Sequence, residues 1–455
     1  MAFNTLPIEL RRLILAELDS FSSLASAILT CRALHSAYLL KPSGAITASI
    51  LVNQVGYDVL PEVTIALASS QLPPHSPEAS DVFITTYLAS RTIHQIPASL
   101  GAYSRLEELN SCVTSLAQWF ADDCLGRLET SGDGSSNVAA PPTASEIARI
   151  KRALYRFEIF CNLYYRKSPS QPVSHDSLAT FCLCFAPWEN EQLGAILDFL
   201  FRIASPAFND VAAHDITWGN LKIEPALFLS SISFQGVLSQ GLVKIHAIST
   251  AQSYDDRYAQ LSSDHFLARP DFLNRALRLT ARSAVESASP LSAFSAEDRE
   301  EYIRPPFFRD PDTGPSDAWE REHHDELSTG FVYQPHHHHL RELGYVMWDQ
   351  ARIDAMVPFP GPRRTQDVVG VTQEVSDTRW LASWMKRAAI FSRGGRGWWD
   401  FEDESRIVWP KEQQRIARMG GKDDTALPKS MGEAKRALLA MTLPSSSAAL
   451  VSRQL

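Results

Sequence analysis

An all-α fold is what this sequence predicts. Apolar residues recur at steps of three and four through most of the 455 residues, strand-like alternation is rare, and capping patterns stand where several periodic runs begin. With 45% hydrophobic and 21% charged residues the composition is near the globular average, which excludes fibrous and wholly disordered classes. A length of 455 residues allows about two or three domains with sizeable cores. A net charge of -9 argues against a general nucleic-acid or membrane-surface binder.

The first element is a trio of short helices within residues 6–40. Pro7 suits a first helical turn, Asp19 or Ser20 can cap the second helix, and the third falls around Cys31 and the residues after it. Leu10, Leu13 or Ile14, and Leu18 form one apolar stripe; Leu24, Ile28 and Cys31 form another. Helices this short cannot bury both stripes on one another, so the trio must lean on a partner or on the rest of the chain.

Two long amphipathic helices follow. Leu106, Leu109, Val113, Leu116, Phe120, Cys124 and Leu128 share one face. Periodicity is lost over 131–142, and Thr143 with Glu146 makes a capping box opening a second helix. Its apolar face is Ile147, Ile150, Leu154, Phe157, Cys161 and Tyr164, with Arg149, Lys151, Arg152 and Arg156 assigned to the other sides. The two helices are expected to pair. Pro187 and Trp188 open another helix bearing Leu193, Ile196, Leu197, Leu200 and Phe201. Further helical patterns cover 226–248, 271–284, 340–353 and 378–391, and a small hairpin near 406–409 is the best strand candidate.

Residues 298–326 carry ten acidic and four basic residues with four prolines, which predicts a long surface excursion. The resulting plan is a helical segment over 1–42, a larger irregular helical body over 43–410 with loops at 131–142 and 298–338, and a largely disordered tail over 411–455. The opening lacks a signal-peptide pattern, no apolar run is long enough to span a membrane, and the six cysteines form no framework. A cytoplasmic or nuclear protein is expected.

The opening Leu6-Pro7-Ile8-Glu9-Leu10, continuing to Ile14 and Leu18 and then to Leu24 and the Cys31-Arg32-Ala33-Leu34-His35 stretch, resembles the F-box. That resemblance covers about a tenth of the chain. It implies a three-helix element that binds the Skp-type adaptor of SCF-type cullin-RING ubiquitin ligases, while the remaining chain recruits a protein target. Leu6, Pro7, Glu9, Leu10, Ile14, Leu18, Leu24 and Cys31 are the partner-binding residues it implies. Asp19 and Ser20 replace the proline that often follows the last leucine. Residues 18–24, 187–193 and 393–399 also resemble a group of filamentous-fungal proteins, a likeness that implies no activity. The alternative to adaptor binding is that residues 6–40 are the first helices of a helical scaffold, their stripes consumed internally.

Two further clusters stand out. Arg393, Gly394, Gly395, Arg396, Gly397, Trp398 and Trp399 combine permissive glycines, guanidinium groups and aromatic faces, a candidate target-binding loop; a helix stop followed by core tryptophans is the alternative. His336, His337, His338 and His339 follow His323 and His324 by a dozen residues, but adjacent helical histidines point about 100° apart. A loop entering the 340–353 helix is expected there rather than a metal site. No P-loop, nucleophile elbow or Cys-x-x-Cys pair occurs, so neither a cofactor nor an enzymatic constellation is expected.

Overall fold

The computed structural model describes residues 5–40, 44–73, 77–89, 100–129, 140–165, 175–213, 232–262, 272–278, 290–325, 332–356 and 358–359, with single positions 389, 393, 407 and 409. Among them every regular element is helical. The chain divides into one unit of residues 1–207 and 225–367 and a second of 208–224 and 368–455.

The first unit opens with α1 (Ile8–Ala16), α2 (Phe21–Thr30) and α3 (Arg32–Leu39), bounded much as their caps predict. Pro7 is the N-cap of α1 rather than its first turn, and Ser20 caps α2 by accepting from the Ser23 amide at 3.0 Å. Two arginines join α1 to α3: Arg11 donates to the Ala33 carbonyl at 3.0 Å and Arg12 to the Ala37 carbonyl at 3.1 Å. Then come α4 (Gly44–Val55), α5 (Leu60–Ser70), α6 (Pro77–Phe83) and the 30-residue α7 (Leu100–Glu129). The trio is continuous with this body. α1 packs on α4 and α2 on α7, Phe21 stacks on Tyr103 at 4.6 Å, and Glu107 accepts from the Ser22 amide at 3.1 Å.

α7 packs along α8 (Ala144–Tyr164), as their facing stripes predict. Every residue of the α7 stripe from Leu106 to Leu128 is buried. The α8 capping box is present in both directions: the Glu146 amide donates to Thr143 Oγ1 at 3.2 Å and the Thr143 amide to Glu146 Oε2 at 2.8 Å. After α9 (His175–Cys182) comes α10 (Pro187–Ala213), which contributes Leu193, Ile196, Leu197, Leu200 and Phe201 to the core.

The expected 226–248 helix is two, α11 (Ile232–Leu238) and α12 (Leu242–Thr250), separated by Gly241 at φ +91°, a conformation that ends α-helix. α13 (Tyr254–Ser262) and α14 (Leu273–Arg278) follow, the latter lying inside the 271–284 pattern.

The expected loop over 298–338 is corrected. It contains α15 (Ala296–Tyr302) and α16 (Gly314–His323), with Tyr302, Ala318, Trp319 and His323 all buried. Two of its acidic residues, Asp310 and Asp312, stand against the buried Arg149, and Asp310 also meets Arg152, which ties the segment to the core. The expected 340–353 helix is also divided, into α17 (His338–Glu342) and α18 (Gln350–Met356). Gly344 lies between them at φ +66°, and a Cβ there would stand 3.1 Å from the Trp348 ring and 3.2 Å from Cys124 Sγ. The 378–391 helix, the 406–409 hairpin and the 411–455 tail fall outside the described residues, apart from Ala389, Ile407 and Trp409.

Candidate partner-binding face and buried charge network

α1 is apolar on two sides. Leu15 is fully buried, whereas Leu10, Leu13 and Ile14 are 46%, 59% and 38% exposed. At about 100° per residue these three occupy an arc of about 100° whose centre lies about 150° from Leu15. The stripe written as Leu10, Leu13 or Ile14 is therefore the outer face, and the core contact comes from a residue outside it. Among the other residues implied by the F-box resemblance, Pro7 and Glu9 are exposed, and Leu6, Leu18 and Cys31 are half-buried.

Leu24 is the correction: it is fully buried and cannot touch a partner. Of the stripe Leu24, Ile28 and Cys31 only Leu24 is buried, Ile28 and Cys31 being half-buried, and α2 packs on α3 and α7. Leu29, Leu39 and Leu40 supply additional exposed apolar surface at the ends of α2 and α3.

The opposite end of the chemistry is a network of buried charge. Arg149, Arg152 and Arg156, which the sequence places off the apolar face of α8, are 0%, 4% and 1% exposed. Arg149 holds Asp310 bidentately, Nε to Oδ2 at 2.6 Å and Nη2 to Oδ1 at 3.0 Å, and reaches Asp349 at 2.6 Å. Arg152 joins Asp310 at 3.0 Å and lies 4.1 Å from the centre of the Phe308 ring. Arg156 Nη2 donates to both Glu62 of α5 and Glu189 of α10 at 2.7 Å. Arg341 of α17 binds Glu191 and Asp198 of α10 at 3.1 Å and 2.7 Å, and Arg352 of α18 grips Glu146 of α8 at 2.9 Å and 3.0 Å.

Burial and these pairs act in opposite directions on Asp310, Asp198 and Glu62. Burial pushes the Asp310 carboxyl up, but hydrogen bonding and charge from Arg149 outweigh it and leave the group below its ordinary value. Asp198 is likewise buried, and Arg341 with His338 holds it far below the carboxylate range. Glu62 goes the other way, because burial outweighs Arg156 and Arg152. One signal could have found this network: at about 100° per residue Arg149, Arg152 and Arg156 fall within about 60° of one another, a stripe as coherent as an apolar one.

The histidine run is not a plain loop. Pro335–His337 is a single 3-10 turn, His337 is buried 4.4 Å from the His323 ring, and His338 Nδ1 meets Asp198 at 2.9 Å. Burial pushes His323 down to about 3. Among the described residues no group of three His, Cys, Asp or Glu is placed to hold a metal ion. In the candidate target loop only Arg393 is described, its guanidinium 4.7 Å from the Trp409 ring centre; Arg396, Trp398 and Trp399 lie outside the described residues. Among the described residues no helix is long and apolar enough to cross a membrane.

No protein-family model, curated protein or solved structure matches the chain.

Proposed function

We propose that this protein is a non-enzymatic, substrate-recruiting subunit of an SCF-type cullin-RING ubiquitin ligase, docking the Skp-type adaptor through α1 and the turns beside it. The observation that carries the reading is the outward trio Leu10, Leu13 and Ile14 on a helix whose opposite side is already anchored by Leu15. Three large aliphatic side chains on one exposed face of a nine-residue helix form an apolar patch of the kind that marks interaction sites. They fall inside the segment that resembles the F-box. The helical body and the loop of Arg393, Arg396, Trp398 and Trp399 would then address a protein target, in the cytoplasm or nucleus.

The second reading is a helical interaction scaffold without ligase coupling. Burial of Leu24 and the packing of α2 on α7 favour it, since part of the trio is consumed internally. A pull-down of the full-length protein with the purified adaptor separates the two: retention supports the ligase reading, and absence of retention at micromolar concentration supports the scaffold.

A further inference from the structure

A cavity of about 180 Å³ lies in the first unit, lined by Arg152 of α8, the first turns of α10 and residues between 306 and 316. By the roughly 30 Å³ that a water occupies in the liquid, it has room for about six waters, the scale of one side chain or a very small molecule. Trp188, Pro306, Phe308 and Pro315 give it apolar walls.

Four charged side chains also line it, and their hydrogen bonds are largely spent on the protein. Glu189 accepts from Arg156 and from the Ala186, Phe307 and Phe308 amides. Asp310 accepts from Arg149 at both oxygens, from Arg152 and from the Asp312 amide. Arg152 donates to Asp310 and to the Asp58 carbonyl and lies 4.1 Å from the centre of the Phe308 ring. Asp312 gives Oδ1 to the Gly314 and Gln350 amides; only its Oδ2, on a side chain 31% exposed, has no partner among the described residues. The carboxylates disfavour an anion and Arg152 disfavours a cation, so the lining suits a neutral ligand.

What remains to bind it is a pair on α10. Gln192 is 3% exposed, and its Nε2 donates to the Val346 carbonyl at 2.8 Å. That bond fixes which end of the side-chain amide is which, and leaves Oε1 an acceptor with no partner among the described residues. Trp188, half-buried and four residues earlier, stands on the same helical face, and its indole N–H has no partner among the described residues either. A donor and an acceptor side by side match a group that carries both on one edge. A primary carboxamide does, because one of its N–H bonds lies on the same side as its C=O, whereas in a trans secondary amide the two point oppositely.

We propose that this cavity binds a primary carboxamide on a small apolar body. Its carbonyl accepts from Trp188 Nε1, its NH2 donates to Gln192 Oε1, and its apolar part lies against Phe308 and the two prolines. The same chemistry is offered by a free small amide and by a glutamine side chain. This site is independent of the adaptor-binding reading, which concerns α1.

The test is calorimetric titration of the full-length protein at pH 7 with benzamide, and in parallel with benzoate, benzylamine and N-methylbenzamide. Benzamide should bind about tenfold more tightly than each of the others, the order expected of one hydrogen bond made or lost in a buried site. Trp188→Phe, which keeps a ring and removes the indole N–H, should weaken benzamide by about the same factor. Ser316→Leu, which fills the cavity from a half-buried position whose hydroxyl bonds only within its own turn, should weaken all binding. An Nα-acetyl-glutamine methylamide arm set against butyramide distinguishes the sources: equal affinity supports a glutamine side chain, and a tenfold drop supports a free amide. Should Trp188→Phe fail to fold by circular dichroism, the wild-type preference for benzamide together with Ser316→Leu decides. No benzamide binding at millimolar concentration, any of the three analogues binding as tightly, or benzamide affinity indifferent to either folded variant would overturn the proposal.

Discussion

Arg149 and Asp310 stand 161 positions apart in the sequence and form a two-point ion pair at 2.6 Å and 3.0 Å. The arginine side chain is fully buried and the aspartate is 18% exposed. Because Asp310 lies between α15 and α16 while Arg149 lies on α8, the pair fastens the acidic segment onto a central helix of the first unit.

Removing Arg149 takes the two-point partner from Asp310 and leaves it Arg152 at 3.0 Å and the Asp312 amide at 3.1 Å. Arg149→Met should lower the free energy of unfolding by about 3 kcal/mol, the order of cost for breaking a buried ion pair. Equilibrium urea denaturation measures it. A change under about 0.5 kcal/mol, typical of surface substitutions, would show that the pair contributes nothing.

Acid should undo the same network. Asp310 and Asp349 have folded pKa values below their ordinary 3.8, so they bind fewer protons folded than unfolded. The stability they contribute is present above that unfolded value and is lost as pH falls through the folded one. Glu62, raised above 4.5, has the opposite sign: folding improves as pH falls through its folded value. Urea midpoints should therefore hold or rise slightly between neutrality and about pH 5, then fall steeply below about pH 4. Asp310→Asn should make the acid limb shallower. An unchanged limb would remove Asp310 from the explanation.

Gly194 illustrates close packing without unusual backbone. A Cβ at this position of α10 would stand 2.7 Å from the Tyr333 ring, and that ring is tethered by its hydroxyl to Asp198 at 2.8 Å. Gly194→Ala should destabilise by about 1–3 kcal/mol despite the better helix propensity of alanine. A stabilised variant in thermal melts would mean that Tyr333 moves freely.

The two sides of α1 should respond differently. Leu15→Ala removes a fully buried side chain and should cost about 2–5 kcal/mol. Leu13→Asp, at a position 59% exposed, should change stability by no more than about 0.5 kcal/mol. Comparable losses for both would place Leu13 in the core.

What was legible in the sequence was local. The α7 stripe, the Thr143 and Glu146 capping box and the Pro187 start of α10 are written in neighbouring residues, and each marks its helix. The charge network was not legible because its halves are distant. Three arginines on α8 read only as lying off its apolar face until Glu62, Glu189 and Asp310 come to meet them, and 298–326 looks like a loop for the same reason. Gly344 and Gly241 interrupt patterns whose apolar spacing alone reads as continuous helix. At the candidate site the apolar residues of α1 were visible, but which of them faces inward was not. Leu15 decides that, and its role depends on contacts with other helices.

The adaptor-binding reading rests on that outward face, and one affinity measurement tests it. Full-length wild type and the Leu10→Asp, Leu13→Asp, Ile14→Asp triple variant are titrated against the purified Skp-type adaptor, with circular dichroism and a thermal melt on both. Loss of central interface anchors costs about 2 kcal/mol or more each, so the variant should bind at least about thirtyfold more weakly while its melting temperature stays within a few degrees. Wild type that fails to bind at micromolar concentration, or a folded triple variant that binds as tightly as wild type, would contradict it.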